Sequence, residues 1–207
     1  MSVVFQETLA AIQKKGKAVT YRPRILAVDD QDDILDLIRM TLEAQYDVAT
    51  LNSPVDLFEV MEVVEPDLLI LDVMMPRVTG FQLTELLRKG AQTKEIPIII
   101  LSAKSTAGDI KHGYKVGATL YLTKPFQPER LIKNVQTQFE ITPASPKKRV
   151  DADDLCGLLD QKACYRRGSL KLSSNLVRAR DQMTDIRRKI AEKVAREREE
   201  SRQGKLR

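Results

Sequence analysis

Six polar residues stand where this chain otherwise runs apolar. Asp29 and Asp30 follow "ILAV", Asp72 follows "LLIL", Ser102 follows "PIIIL", and Thr123 and Lys124 follow "LYL". A carboxylate at the end of a run that reads as fully buried costs free energy unless a partner or a metal compensates its charge. For one isolated Asp, a helix cap or turn is the plain explanation. Polar residues at four run ends, two of them with carboxylates, are a pattern. If one fold brings those ends together, three carboxylates, the Ser102 hydroxyl and one lysine converge beside Thr123, and Asp72 is tolerated because a cation and an ammonium sit beside it.

The elements that must position them are legible between Arg24 and Phe139. Five short runs, 25–28, 47–51, 68–71, 97–101 and 120–123, are each too short for a helix. Four are rich in Val, Ile or Leu without polar alternation, as strands covered on both faces should be. Helical patterns lie between them. Ile34, Leu35, Leu37, Ile38 and Leu42 share one face behind acidic residues suited to a helix N-terminus. Val55, Leu57, Phe58, Val60 and Met61 make a second face, and Gly80 opens a third through Leu83, Leu86 and Leu87. A fourth covers about 107–116, and a fifth opens at "QPER" and continues to Phe139. Strands alternating with helices predict an α/β fold with a five-stranded parallel doubly wound sheet. Such sheets place their sites at the carboxyl ends of the strands, where all six polar residues fall.

The blocks "ILAVDD", "LLILDVMMPRVTG", "PIIILSAK" and "GATLYLTKPF", in this order over about residues 22–140, closely resemble the receiver domain of two-component response regulators. The haloacid-dehalogenase-like phosphatases, which also phosphorylate an aspartate, usually carry D-x-D at their first strand. Here Met74 stands two positions after Asp72, which counts against them. The resemblance implies the flavodoxin-like receiver fold and a phosphoryl group accepted on Asp72 from a histidine kinase or phosphotransfer protein. It further implies Mg2+ held by Asp30, Asp72 and the backbone carbonyl of Met74, with Asp29 acting through a bound water. Hard oxygen ligands and a retained water shell suit Mg2+. Lys124 supplies positive charge for the phosphoryl group or the resting carboxylate, and the Lys124–Pro125 bond is cis in the family. Ser102 and Tyr121 take the switch positions, the hydroxyl binding a phosphoryl oxygen and its movement making room for the ring. Met74 cannot orient a water, so fast self-hydrolysis is not expected; Lys104 allows no rate expectation. The chain reads as a phosphoacceptor signalling protein and not as an enzyme acting on a separate substrate.

Outside the blocks, 1–21 reads as an N-terminal helical extension, 22–140 as the receiver, 141–154 as a Pro-containing linker, and 155–207 as a basic helical tail. From Arg166 to Arg207 there are 14 Lys/Arg against 6 Asp/Glu, whereas the remaining 165 residues hold 20 basic against 23 acidic groups. The net charge of +5 therefore describes the tail and not the body. After the linker too little sequence remains for a winged-helix output domain. Leu172, Leu176, Ala179, Met183, Ile186 and Ile190 recur at spacings of four and three, which predicts one long helix over about 170–202 with a coiled-coil seam. The seam could meet an output protein, a second copy, or the N-terminal helix through Phe5, Leu9 and Ile12. The alternative output is DNA or RNA bound by the basic tail; no aromatic residue lies between Tyr165 and Arg207, and acids interleave the bases there. No apolar run approaches the roughly 20 residues that span a bilayer, so no membrane insertion is expected. The N-terminus lacks the order of a secretory signal, and two lone cysteines, Cys156 and Cys164, suit reduced thiols in the cytoplasm.

Overall fold

The structure, a computed structural model, describes residues 22–144 and 168–173. Five parallel strands form the body of the sheet: β1 (Arg24–Val28), β2 (Asp47–Leu51), β3 (Leu68–Asp72), β4 (Ile98–Ser102) and β5 (Leu120–Thr123). They alternate with α1 (Asp32–Leu42), α2 (Leu57–Val64, entered through a 3-10 turn at Pro54–Asp56), α3 (Gly80–Lys89), α4 (Ala107–Lys115) and α5 (Pro128–Ile141). A sixth strand, β6 (Leu170–Leu172), completes the order β5-β4-β3-β1-β2-β6.

Period-two geometry explains why runs without polar alternation make these strands. Successive side chains point to opposite faces, and both faces are covered. Ile25, Ala27, Val48, Leu68, Ile70, Ile99, Leu101 and Leu122 pack with Leu35, Ile38 and Leu42 of α1 and with Leu131 and Val135 of α5. Leu26, Val28, Ala49, Leu51, Leu69, Leu71, Ile98 and Ile100 pack with Leu57, Val60 and Val64 of α2 and with Leu83 and Leu87 of α3. Burying each large side chain contributes about 1.5–3 kcal/mol, so the two faces together hold the strand ends in register. Ile99 lies opposite Leu120, and Leu69 opposite Ile98.

Local signals start the helices. At α3, Thr79 Oγ1 accepts from the Gln82 N–H while Gln82 Oε1 accepts from the Thr79 N–H at 2.9 Å, a reciprocal capping box. At α4, Thr106 Oγ1 accepts from the Asp109 N–H, and α5 opens with Pro128, whose missing donor costs nothing in a first turn. Among the residues expected on helical core faces, Val55, Phe58 and Leu86 are exposed instead.

Two expectations are corrected by β6. The sheet has six strands and not five, the last antiparallel to β2. The helix expected over 170–202 does not begin at Leu170, because Leu170, Lys171 and Leu172 are a strand with both leucines buried. Apolar–basic–apolar is also the alternation of a strand. The exposed row of N–H and C=O groups along β2 decides between the two readings by supplying a ladder. The seam from Leu176 to Ile190, the N-terminal helix of 1–21, and the linker from residue 145 lie outside the described residues. Among the described residues no helix is long and apolar enough to cross a membrane.

Candidate functional site

The carboxyl ends of β5, β4, β3 and β1, consecutive from one edge of the sheet, lie side by side, and the expected polar residues meet there. Lys124 Nζ donates to Asp29 Oδ2 at 2.5 Å and stands 2.7 Å from Asp72 Oδ1. Asp29 is 1% exposed and Asp72 3%, while the lysine side chain keeps 13%. The Lys124–Pro125 peptide is cis. Asp29 Oδ1 accepts from the Gln31 N–H at 3.1 Å, and Asp72 Oδ2 accepts from the Met74 N–H. Each buried carboxylate is thus held by one backbone donor and by the shared ammonium, which offsets its desolvation.

Asp30 completes the group from an exposed position. One oxygen from each of Asp29, Asp30 and Asp72 lies within 4.8 Å of the others. Three carboxylates against one ammonium leave two negative charges uncompensated, which is the deficit a divalent cation fills. All donors are hard oxygens, as Mg2+ requires. The residues present therefore fit the metal that the sequence implies.

Electrostatics sharpen the arrangement. Burial pushes the Asp29 carboxyl up, opposed by the hydrogen bond and charge of Lys124 and by the Gln31 amide. Burial alone would lower Lys124. The two carboxylates outweigh it and hold the ammonium above the usual lysine value.

Ser102 is fully buried at the end of β4, its Oγ accepting from the Lys104 N–H at 3.0 Å. Tyr121 is buried next to it and donates its hydroxyl to the Lys104 carbonyl at 2.9 Å. Burial pushes the Tyr121 phenol up, with a hydrogen bond to Ser102 pulling the other way. Met74 turns its side chain to solvent.

Three contributors were not legible as site residues. A Cβ at Gly80 would lie 2.2 Å from the Asp72 carbonyl oxygen, so only glycine lets α3 start against the end of β3. A Cβ at Gly113 would lie 2.6 Å from the Tyr121 ring, so the inward ring occupies space that this glycine leaves in α4. The third is Gln31, whose backbone amide gives no sequence signal. A glycine packed against its neighbour is visible only once the two elements are placed together.

Residues 25–136 match the response regulator receiver domain as a family. The chain is 36% identical over 126 residues to the DNA-binding dual master transcriptional regulator RpaA of Synechocystis, covering 60% of this chain and 52% of that protein. It is 35% identical over 138 residues to the alkaline phosphatase synthesis transcriptional regulatory protein PhoP of Bacillus subtilis, covering 65% and 56%. The chain thus matches little more than half the length of these two relatives. Among solved structures, the chemotaxis protein CheY4 of Vibrio cholerae superposes with a TM-score of 0.54 at 35% identity, covering 56% of this chain and 98% of that one. The response regulator DrrB of Thermotoga maritima gives a TM-score of 0.55 at 27% identity, covering 63% and 58%.

Proposed function

We propose a function for this chain, which belongs to the response regulator receiver family: in the cytoplasm, Asp72 accepts a phosphoryl group from a histidine kinase or phosphotransfer protein and thereby controls an output carried by the C-terminal segment. The observation that carries this reading is the lysine bridge between Asp29 and Asp72, with Asp30 in reach of both carboxylates. In the transfer, an Asp72 carboxylate oxygen attacks phosphorus while the donor's P–N bond breaks. The bond's electron pair stays on the imidazole nitrogen, which takes up a proton. Little covalent chemistry is left to the protein, so its contribution is position and charge.

Each group then has a role. Lys124, already protonated between the carboxylates, follows the charge to the phosphoryl oxygens. Ser102 donates its hydroxyl to one of those oxygens, and the Tyr121 ring fills the adjoining space. A Mg2+ held by Asp30, Asp72 and the Met74 carbonyl, with Asp29 acting through water, would supply the remaining positive charge. The chain signals, and any hydrolysis concerns its own acyl phosphate.

The experiment is incubation with Mg2+ and acetyl phosphate, followed by intact mass. One phosphoryl group should be gained, should be released by hydroxylamine as an acyl phosphate is, and should be absent from Asp72→Asn. A full adduct on that variant would overturn the assignment. For the output, protein contact through the Leu176–Ile190 seam is the first reading. A second, nucleic-acid output, is favoured by the names of the two relatives and by the basic surplus after Arg166. Nucleic-acid binding that falls steeply with salt would favour the second.

A further inference from the structure

The outer edge of β2 would present unpaired N–H and C=O groups, a template for any strand that can reach it. In this chain it is filled from within. Ala49, Thr50 and Leu51 lie opposite Leu172, Lys171 and Leu170. The pairing continues past both ends of the strand. The Asn52 N–H donates to the Ser169 carbonyl at 3.0 Å, and the Ser173 N–H donates to the Val48 carbonyl at 2.7 Å. Val48 gives its own N–H to Ser173 Oγ at 3.1 Å.

The side chains fit both faces of the sheet. Leu170 and Leu172 are 2% and 9% exposed and join the apolar cluster that includes Leu57 and Val60 of α2. Lys171, on the opposite face, places Nζ 3.2 Å from Asp32 Oδ1 and 3.9 Å from Asp36 Oδ1 on α1. The edge therefore selects an extended segment with two apolar residues flanking a cation, the recognition mode of strand addition. The segment at 170–172 has that pattern, and its basic residue matches the acidic start of α1.

We propose that the β2 edge is a strand-docking surface whose occupant is the chain's own 168–173 segment, bound in cis, and that this contact fixes where the basic C-terminal segment departs from the receiver. The direction of β6 has a consequence for function. It enters beside Asn52, at the end of the sheet that carries the carboxylates, and leaves beside Val48 at the other end. Ser173 thus lies at the end of the sheet away from Asp72, so the tail departs from the side opposite to the carboxylates. This inference does not depend on phosphoryl transfer and survives if that reading fails. Residues 145–167 join α5 to the docked segment and can span several tens of ångströms at about 3.3–3.6 Å per residue, so a second copy is the competing occupant.

Two measurements on the full chain decide it. In a Cys156→Ser, Cys164→Ser background, Ala49→Cys and Leu172→Cys are introduced, which face each other across the ladder, and the protein is oxidised. The expected product is a monomer with an intrachain 49–172 disulfide. A disulfide-linked dimer means that the edge takes a second copy, and a folded protein without any crosslink means that it takes no strand; either overturns the proposal. Should the cysteine variant not fold, hydrogen exchange decides between the natural protein and Leu170→Asp, Leu172→Asp. The Val48 and Asn52 amides should exchange on the order of tenfold or more faster in the variant, as expected when a local unit opens. Equal rates, or natural-protein amides without protection at those positions, would refute docking.

Discussion

Lys124→Met removes the ammonium and keeps most of the apolar stem, so it isolates the charge that two buried carboxylates share. Asp29 and Asp72 are 1% and 3% exposed, and Nζ lies 2.5 and 2.7 Å from their oxygens. Deleting one partner of a buried ion pair typically costs about 3–5 kcal/mol. The exposed Asp30 side of the site gives water and protons access to the carboxylates, which reduces the loss to about 2–4 kcal/mol. At roughly 4 °C per kcal/mol for a domain of this size, the melting midpoint should fall by about 8–16 °C in metal-free buffer. The variant also gains affinity for a dication, because three carboxylates then face no ammonium. Mg2+ at a hundredfold excess over Kd returns about 2.7 kcal/mol, and saturation should require less Mg2+ than in the natural protein. Urea and thermal unfolding of both proteins, over a series of Mg2+ concentrations, measure these quantities. A metal-free loss under about 1 kcal/mol, within the range of an exposed pair, would refute the reasoning, as would Mg2+ binding no tighter in the variant.

Asp30→Ala should weaken Mg2+ binding more than Asp29→Ala in a calorimetric titration, since Asp29 is already engaged by Lys124 and Gln31; equal losses would mean that direct and water-mediated roles are wrongly divided. Gly113→Ala gains about 1 kcal/mol of helix propensity but forces a Cβ to 2.6 Å from the Tyr121 ring, and such overpacking costs about 1–3 kcal/mol. Stability should stay level or fall by up to about 2 kcal/mol, and Tyr121→Ala in the same chain should relieve the clash, seen as a coupled double-mutant cycle; additive effects would contradict the contact. The Lys124 pKa is raised in the folded protein, so its contribution to stability is complete below the usual value of 10.5 and is lost as pH rises through the higher folded value. Metal-free natural protein should therefore lose stability above pH 10.5 more steeply than Lys124→Met, the tyrosines being common to both; parallel limbs would contradict a protonated bridge.

How far the fold was legible follows from the kinds of residue involved. The runs ending at Val28, Leu71 and Leu101 needed only the rule that strands buried on both faces show no alternation. Once the strands were parallel, their carboxyl ends had to meet, so Asp29, Asp72, Ser102 and Lys124 could be grouped before any distance was known. Leu170–Leu172 escaped because three alternating residues fit a helical seam as well as a strand, and the deciding partner, β2, lies about 120 positions earlier in the chain. Phe58 fits the periodicity of α2 yet is exposed, since period alone does not set how wide a buried stripe is, and Val55 falls in the 3-10 turn before the helix, off its 3.6-residue period. Gly80 and Gly113 act by what they lack, and a missing Cβ has meaning only against a neighbour from another element.

The central claim is that Asp72, among three adjacent carboxylates, is the one that forms the acyl phosphate. Borohydride reduces the carbonyl carbon of an aspartyl phosphate to a primary alcohol with loss of phosphate, leaving homoserine at the modified position. Protein treated with acetyl phosphate and Mg2+, then reduced, digested and sequenced by mass spectrometry, should carry homoserine at position 72 and at no other aspartate. Homoserine at position 29 or 30, or none in protein that has gained a phosphoryl group, would contradict the account.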